Sequence, residues 1–80
     1  MTPDEIKQRI EAGIPGATVQ VTGDGYKNEA IVVSDAFEGL SMLKKHQMVY
    51  ATVNDAIASG DLHALTIRAY TPEEWAQAAG

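Results

Sequence analysis

The spacing of apolar residues changes along this chain, and each change marks a new element. Ile6 and Ile10 recur at i, i+4, which predicts a helix with one buried stripe. Thr2 can cap that helix, Pro3 suits its first position, and Glu5 completes a capping box. Gly13 stops the helix and Pro15-Gly16 turns the chain. Residues 17–22 alternate apolar and polar, the period-two signature of a half-buried strand. Gly23-Asp24-Gly25 opens a turn that runs to about Asn28, and residues 29–34, with Ala30-Ile31-Val32-Val33, form a second strand. So short a link makes the pair an antiparallel hairpin.

Residues 35–39 read as a loop. A helix is expected over residues 40–59, with Met42, His46, Val49, Val53 and Ile57 as its buried stripe and a kink near Lys44 to Gln47 that would split it in two. Gly60 ends it. Residues 63–70 form a third strand, with His63, Leu65, Ile67 and Ala69 on one side and Ala64, Thr66, Arg68 and Tyr70 on the other. Thr71-Pro72-Glu73-Glu74 repeats the opening cap and starts a last helix carrying Trp75, with the tail 76–80 frayed. The order is α-β-β-α-(α)-β-α. A three-stranded sheet with helices on one face would bury the apolar strand positions. The nearest architecture is an α+β KH-like sandwich of the second type.

Composition narrows the function more than the fold. Eighty residues make one domain, over 1–80, and leave little room for a deep catalytic cleft beside a core. There is no cysteine, so there is neither a disulfide nor a thiolate ligand, which fits a reducing compartment. The N-terminal residues lack the basic and apolar regions of a signal peptide, and no apolar run approaches a membrane span; the expectation is a cytosolic protein with no membrane partner. The net charge of −5 opposes non-specific attraction to phosphate backbones, though it leaves room for a local basic patch.

The candidate chemistry is sparse. Asp4-Glu5 and Glu73-Glu74 sit in first helical turns, where the helix dipole favours negative charge. Gly13-Ile14-Pro15-Gly16 satisfies a G-x-x-G pattern but precedes the first strand and lacks basic neighbours, so it reads as a turn. Ser34, Ser41 and Ser59 have no nucleophile-elbow context, and there is no phosphate-binding glycine loop. An enzyme reading has no support. Lys44-Lys45, with Arg68 or Lys27 nearby, is either a solvated face or a surface for nucleic acid. His46 and His63 match no short metal-ligand spacing on one helix. His63, at the start of a strand, is either a satisfied structural residue or a free imidazole able to bind metal, and position alone does not decide between them.

Several of these segments together resemble the BolA-like family over residues 19–75. The matching motifs are Phe37-Glu38-Gly39-Leu40-Ser41, Lys45-His46-Gln47, Val49-Tyr50, His63-Ala64-Leu65 and Tyr70-Thr71-Pro72-Glu73-Glu74-Trp75. The Gly23-Asp24-Gly25 turn is similar to that of the YrbA/IbaG-type bacterial branch.

The resemblance implies a non-enzymatic accessory protein that is a monomer or weak homodimer when alone. It would bind a monothiol glutaredoxin and share a [2Fe-2S] cluster with it and with glutathione, in iron–sulfur trafficking or iron regulation. The alternative it implies is a DNA-binding regulator of stress response and morphology, using a surface of Lys44, Lys45, His46 and Arg68. His63 matches the family's cluster-ligating histidine. A second ligand normally comes from the loop between the first two strands, where Lys27 stands at the matching position and Asp24, Tyr26 and Glu29 are the neighbouring candidates. Gln47 stands where an arginine is common, which with the net charge favours glutaredoxin over DNA.

Overall fold

Thr2 begins the first helix as the sequence predicts. In the computed structural model, which describes residues 1–79, α1 spans Pro3–Gly13. Its capping box is complete: Thr2 Oγ1 accepts the Glu5 N–H at 3.2 Å and Glu5 Oε1 accepts the Thr2 N–H at 3.1 Å. Such a cap stabilises a helix by about 1 kcal/mol. Ile6 and Ile10 are fully buried.

Strand β1 is Thr18–Gly23 and β2 is Lys27–Val33, paired antiparallel with Val19 opposite Val32 and Val21 opposite Ala30. The predicted second strand thus begins two residues early, because Lys27 and Asn28 already pair with Ala64 and Leu65 of β3, Ala64–Tyr70. β3 runs parallel to β2, giving the sheet order β1-β2-β3. The inward residues Val19, Ala30, Val32, Ile67 and Ala69 join one core with Ile6, Ile10, Val49, Val53 and Ala56, so the helices cover one face. Thr18, Gln20, Thr22 and Arg68 lie on the other face and are exposed.

The segment between β2 and β3 departs from the single long stripe expected. Residues 35–39, read as loop, include a 3-10 turn, Asp35–Phe37, that plants Phe37 in the core with no exposure. Ser34 Oγ fixes that turn: it accepts the Ala36 N–H at 3.0 Å and donates to the Pro15 carbonyl at 2.8 Å. The helix then comes as α2, Met42–Ala51, and α3, Asn54–Ser59. The break falls at Thr52-Val53, not near Lys44 to Gln47. Thr52 Oγ1 bonds back to the Val49 carbonyl at 2.7 Å, and Val53, with φ −129° and ψ 10°, leaves helical geometry. Val49 and Val53 are buried, but Met42 and Ile57 are exposed and His46 is half-buried; Lys45 and Ala56 take their places. Gly60, at φ +83°, closes α3.

The final helix α4, Pro72–Ala79, has the second capping box, with Glu74 N–H on Thr71 Oγ1 at 3.2 Å and Thr71 N–H on Glu74 Oε1 at 2.8 Å. Residues 76–79, expected to fray, continue the helix; Gly80, the end of that expected tail, lies outside the described residues. No helix among the described residues is long and apolar enough to cross a membrane.

Candidate functional site

The hairpin loop closes first on itself and then on the start of β3. Asp24 Oδ1 accepts the backbone N–H groups of Lys27 at 2.8 Å and Tyr26 at 2.9 Å. These donors, Lys27 first, hold the Asp24 carboxyl below its ordinary value. Asn28 is buried: its Oδ1 accepts the Gly25 N–H at 3.3 Å, and its amide donates to the carbonyls of Gly25 at 3.3 Å and Ala64 at 3.5 Å. The Tyr26 carbonyl accepts the Ala64 N–H at 3.2 Å. Gly23 makes the entry to this loop, with φ +147°. A Cβ there would lie 2.3 Å from the Lys27 carbonyl oxygen and 2.7 Å from Asn28 Oδ1, so only glycine fits.

His63 stands exposed on this platform, one residue before β3. The Tyr26 ring stacks on its imidazole, with centroids 4.7 Å apart and planes 28° apart. The stack covers one face of the ring; among the described residues no side chain bonds its nitrogens. Of the four loop candidates, Tyr26 alone is stacked on His63. Lys27 stands opposite Ala64 in the register, next along from His63, and is in no ion pair among the described residues. Asp24 is turned onto its own loop. Glu29 Oε2 binds Arg68 Nε at 3.2 Å, farther along the sheet. No group of three or more His, Cys, Asp or Glu side chains among the described residues could hold a metal ion.

The second expected surface does not hold together. Lys45 is buried, with Nζ 2.7 Å from Glu74 Oε1, the same oxygen that caps α4. That corrects the reading of Lys44-Lys45 as an exposed pair: Lys45 ties α2 to α4. Lys44 is exposed on another flank of α2, beside Leu40, Gln47 and Met48. His46 and Arg68 do come together, lining a groove with Met42, Ile67, Ala69 and Tyr70.

With this geometry in view, the chain can be set beside known proteins. A family described as BolA-like protein matches residues 17–74. The chain is 39% identical over 77 residues to the acid stress protein IbaG of Escherichia coli K12, covering 96% of this chain and 92% of that one. It is 41% identical over 78 residues to a protein of the rpoN–murA intergenic region in Acinetobacter guillouiae, covering 98% and 94%. The structure of a bolA protein homologue from Coxiella burnetii superposes with a TM-score of 0.83 at 38% identity, covering 95% of this chain and 97% of that one. The chain belongs to the BolA-like family.

In this BolA-like chain the motif residues quoted from the sequence serve structure and site alike. Phe37 is core, Tyr50 Oη donates to the Leu65 carbonyl at 3.3 Å, and Tyr70 packs on Trp75 with centroids 5.3 Å apart. The roles of two residues are hidden from the sequence. Asn28, which joins the loop to β3, looked like one more turn residue; its only signal was an amide at the head of an apolar run. Lys45 stands four before Val49 and eight before Val53, the spacing of a buried stripe, which its charge concealed.

Proposed function

We propose that this BolA-like chain is a non-catalytic accessory protein that docks on a monothiol glutaredoxin and presents the His63 imidazole to an iron of a [2Fe-2S] cluster. The observation that carries the reading is the exposed, stacked His63, placed by a loop whose Asp24 and Asn28 side chains are used internally. A free imidazole on a fixed backbone suits an iron held from the other side by thiolates. Imidazole in place of thiolate raises the reduction potential of such centres.

The donor set on this side is one short. Four ligands are needed. A glutaredoxin cysteine and a glutathione thiolate supply two, and His63 a third. Lys27 carries a positive charge, Asp24 is committed to two N–H groups, Tyr26 lies flat on His63, and Glu29 is paired with Arg68. One imidazole fits, and these commitments favour a second ligand from outside the loop. The acid-stress role carried in the name of the IbaG relative supports a place in stress physiology for this chain.

The test is co-expression with the host's monothiol glutaredoxin and a visible spectrum of the purified complex. His63→Ala should abolish or shift the spectrum while leaving the fold intact. A spectrum indifferent to His63 removes it from the ligand set.

A further inference from the structure

Strand β3 has an edge that nothing in the sheet uses. Ala64 donates its N–H to the Tyr26 carbonyl, and the Tyr70 carbonyl accepts from the Ser34 N–H, so the even-numbered residues of β3 turn their backbone groups toward β2. In a parallel pair the intervening residues turn theirs away. Leu65, Ile67 and Ala69 therefore face the open edge. Tyr50 occupies the Leu65 carbonyl. Ile67 and Ala69 have no backbone partner there among the described residues, which leaves two N–H and two C=O groups in a row.

This stretch is the floor of the groove of about 230 Å³ lined by Met42, His46, Ile67, Arg68, Ala69 and Tyr70. Met42, His46 and Tyr50 recur at i, i+4, i+8 along α2, and Met42 is 63% exposed. The lining holds no carboxylate, although the chain carries a net charge of −5. Arg68 stands at the outer rim, with Nε on Glu29.

We propose that this edge docks an extended segment of a protein partner by strand addition, with apolar side chains turned toward Met42 and acidic ones alternating toward Arg68. The backbone demand is set by the edge: only an extended chain offers donors and acceptors at the spacing of Ile67 and Ala69. The side-chain pattern follows from the period of two, since one side of the added strand meets α2 and the other continues the exposed sheet face. The charge preference follows from Arg68 and the absence of acid in the groove. This surface is separate from the His63 ring and needs no metal.

The probe is the peptide acetyl-Ser-Val-Glu-Val-Glu-Val-Ser-amide, titrated into the isotope-labelled full chain. Binding should shift the Ile67 and Ala69 amides and slow their hydrogen exchange. N-methylation of the peptide at alternate nitrogens should abolish binding. Replacing its glutamates by lysines should weaken it by about five-fold, the scale of one exposed charge pair. Arg68→Gln, which leaves the Glu29 carboxylate alone at the rim, should remove or reverse that preference. Unperturbed Ile67 and Ala69 amides, or equal binding of the N-methylated peptide, would overturn the proposal. So would protection of the edge that rises with protein concentration alone, which identifies a second copy as the occupant. Displacement of the peptide by duplex DNA at low salt, with the same amides shifted, would overturn it in favour of a phosphate ligand.

Discussion

The Tyr26 ring lies face to face with the His63 imidazole, 4.7 Å between centroids. Tyr26 belongs to the hairpin loop and His63 to the approach to β3, so the stack locks the loop to the residue that carries the proposed chemistry. Stacked aromatic pairs contribute about 0.5–1.5 kcal/mol, with exposed pairs at the low end. Tyr26→Ala should therefore lower the melting temperature only slightly. Its clear effect should be on the His63 ring protons, which lose the ring-current shift and move downfield in the NMR spectrum. Tyr26→Phe should keep the shift. Ring protons indifferent to Tyr26→Ala would show that the pair is not stacked in solution.

The bridge from Lys45 to Glu74 sets a pH dependence. The Lys45 ammonium first, and the Thr71 N–H second, hold the Glu74 carboxyl below its ordinary value of 4.5. A carboxyl lowered in the folded state adds stability above its ordinary value and loses it as pH falls through the folded value. Melting temperature should therefore fall as pH drops below about 4.5, the value ordinary for this carboxyl. Glu74→Gln keeps an acceptor for Thr71 but removes the charge. It should lower stability at pH 7 and flatten the acid limb. Lys45→Met should be better tolerated at pH 7, because a methionine fills the buried stem and the Glu74 carboxylate left behind is half-exposed and still accepts from Thr71. Equal pH profiles for the parent chain and Glu74→Gln would show that the bridge does not form.

Ser34 joins three parts of the chain with one hydroxyl and one amide. Its Oγ donates to Pro15 and accepts from Ala36, and its N–H donates to Tyr70. Ser34→Ala keeps the amide bond but removes the hydroxyl, itself in a residue with 1% exposure, from the Pro15 carbonyl and the Ala36 N–H. Leaving a buried group unpaired costs about 1–3 kcal/mol. Urea denaturation should show that loss in the midpoint with the slope unchanged; a midpoint equal to the parent's would mean water replaces the hydroxyl.

The elements were legible wherever local rules act alone. Thr2 with Glu5, and Thr71 with Glu74, are capping boxes readable from spacing. The alternation of Val19 and Val21, and of Leu65, Ile67 and Ala69, gave the inner face of the sheet. What could not be read depends on contacts between distant segments. Phe37 sits in a short 3-10 turn with no periodicity to announce it, and its burial follows from the Ser34 clamp on Pro15. The sequence pattern mis-phases the stripe on α2 because Lys45 reads as polar, and its partner Glu74 lies 29 residues away. His63 was singled out from the family resemblance, while Tyr26 as its stacking partner required the loop to fold back on β3, which the buried Asn28 brings about.

The same loop sets the sharpest test of the ligand set. The register places Lys27 opposite Ala64, the residue that follows His63 in the chain. A histidine at that position would carry a second imidazole on a strand already ordered by Asp24 and Asn28, with no change in the backbone bonds the loop makes. It would also remove a positive charge that repels a ferric iron. Lys27→His should therefore leave the melting temperature nearly unchanged and sharpen the visible bands of the proposed glutaredoxin complex. In the double variant with His63→Ala, the gain should be lost, because a single imidazole returns. If Lys27→His leaves the spectrum of the complex as it was, the remaining iron position is filled from the partner's side, and the loop serves only to hold His63.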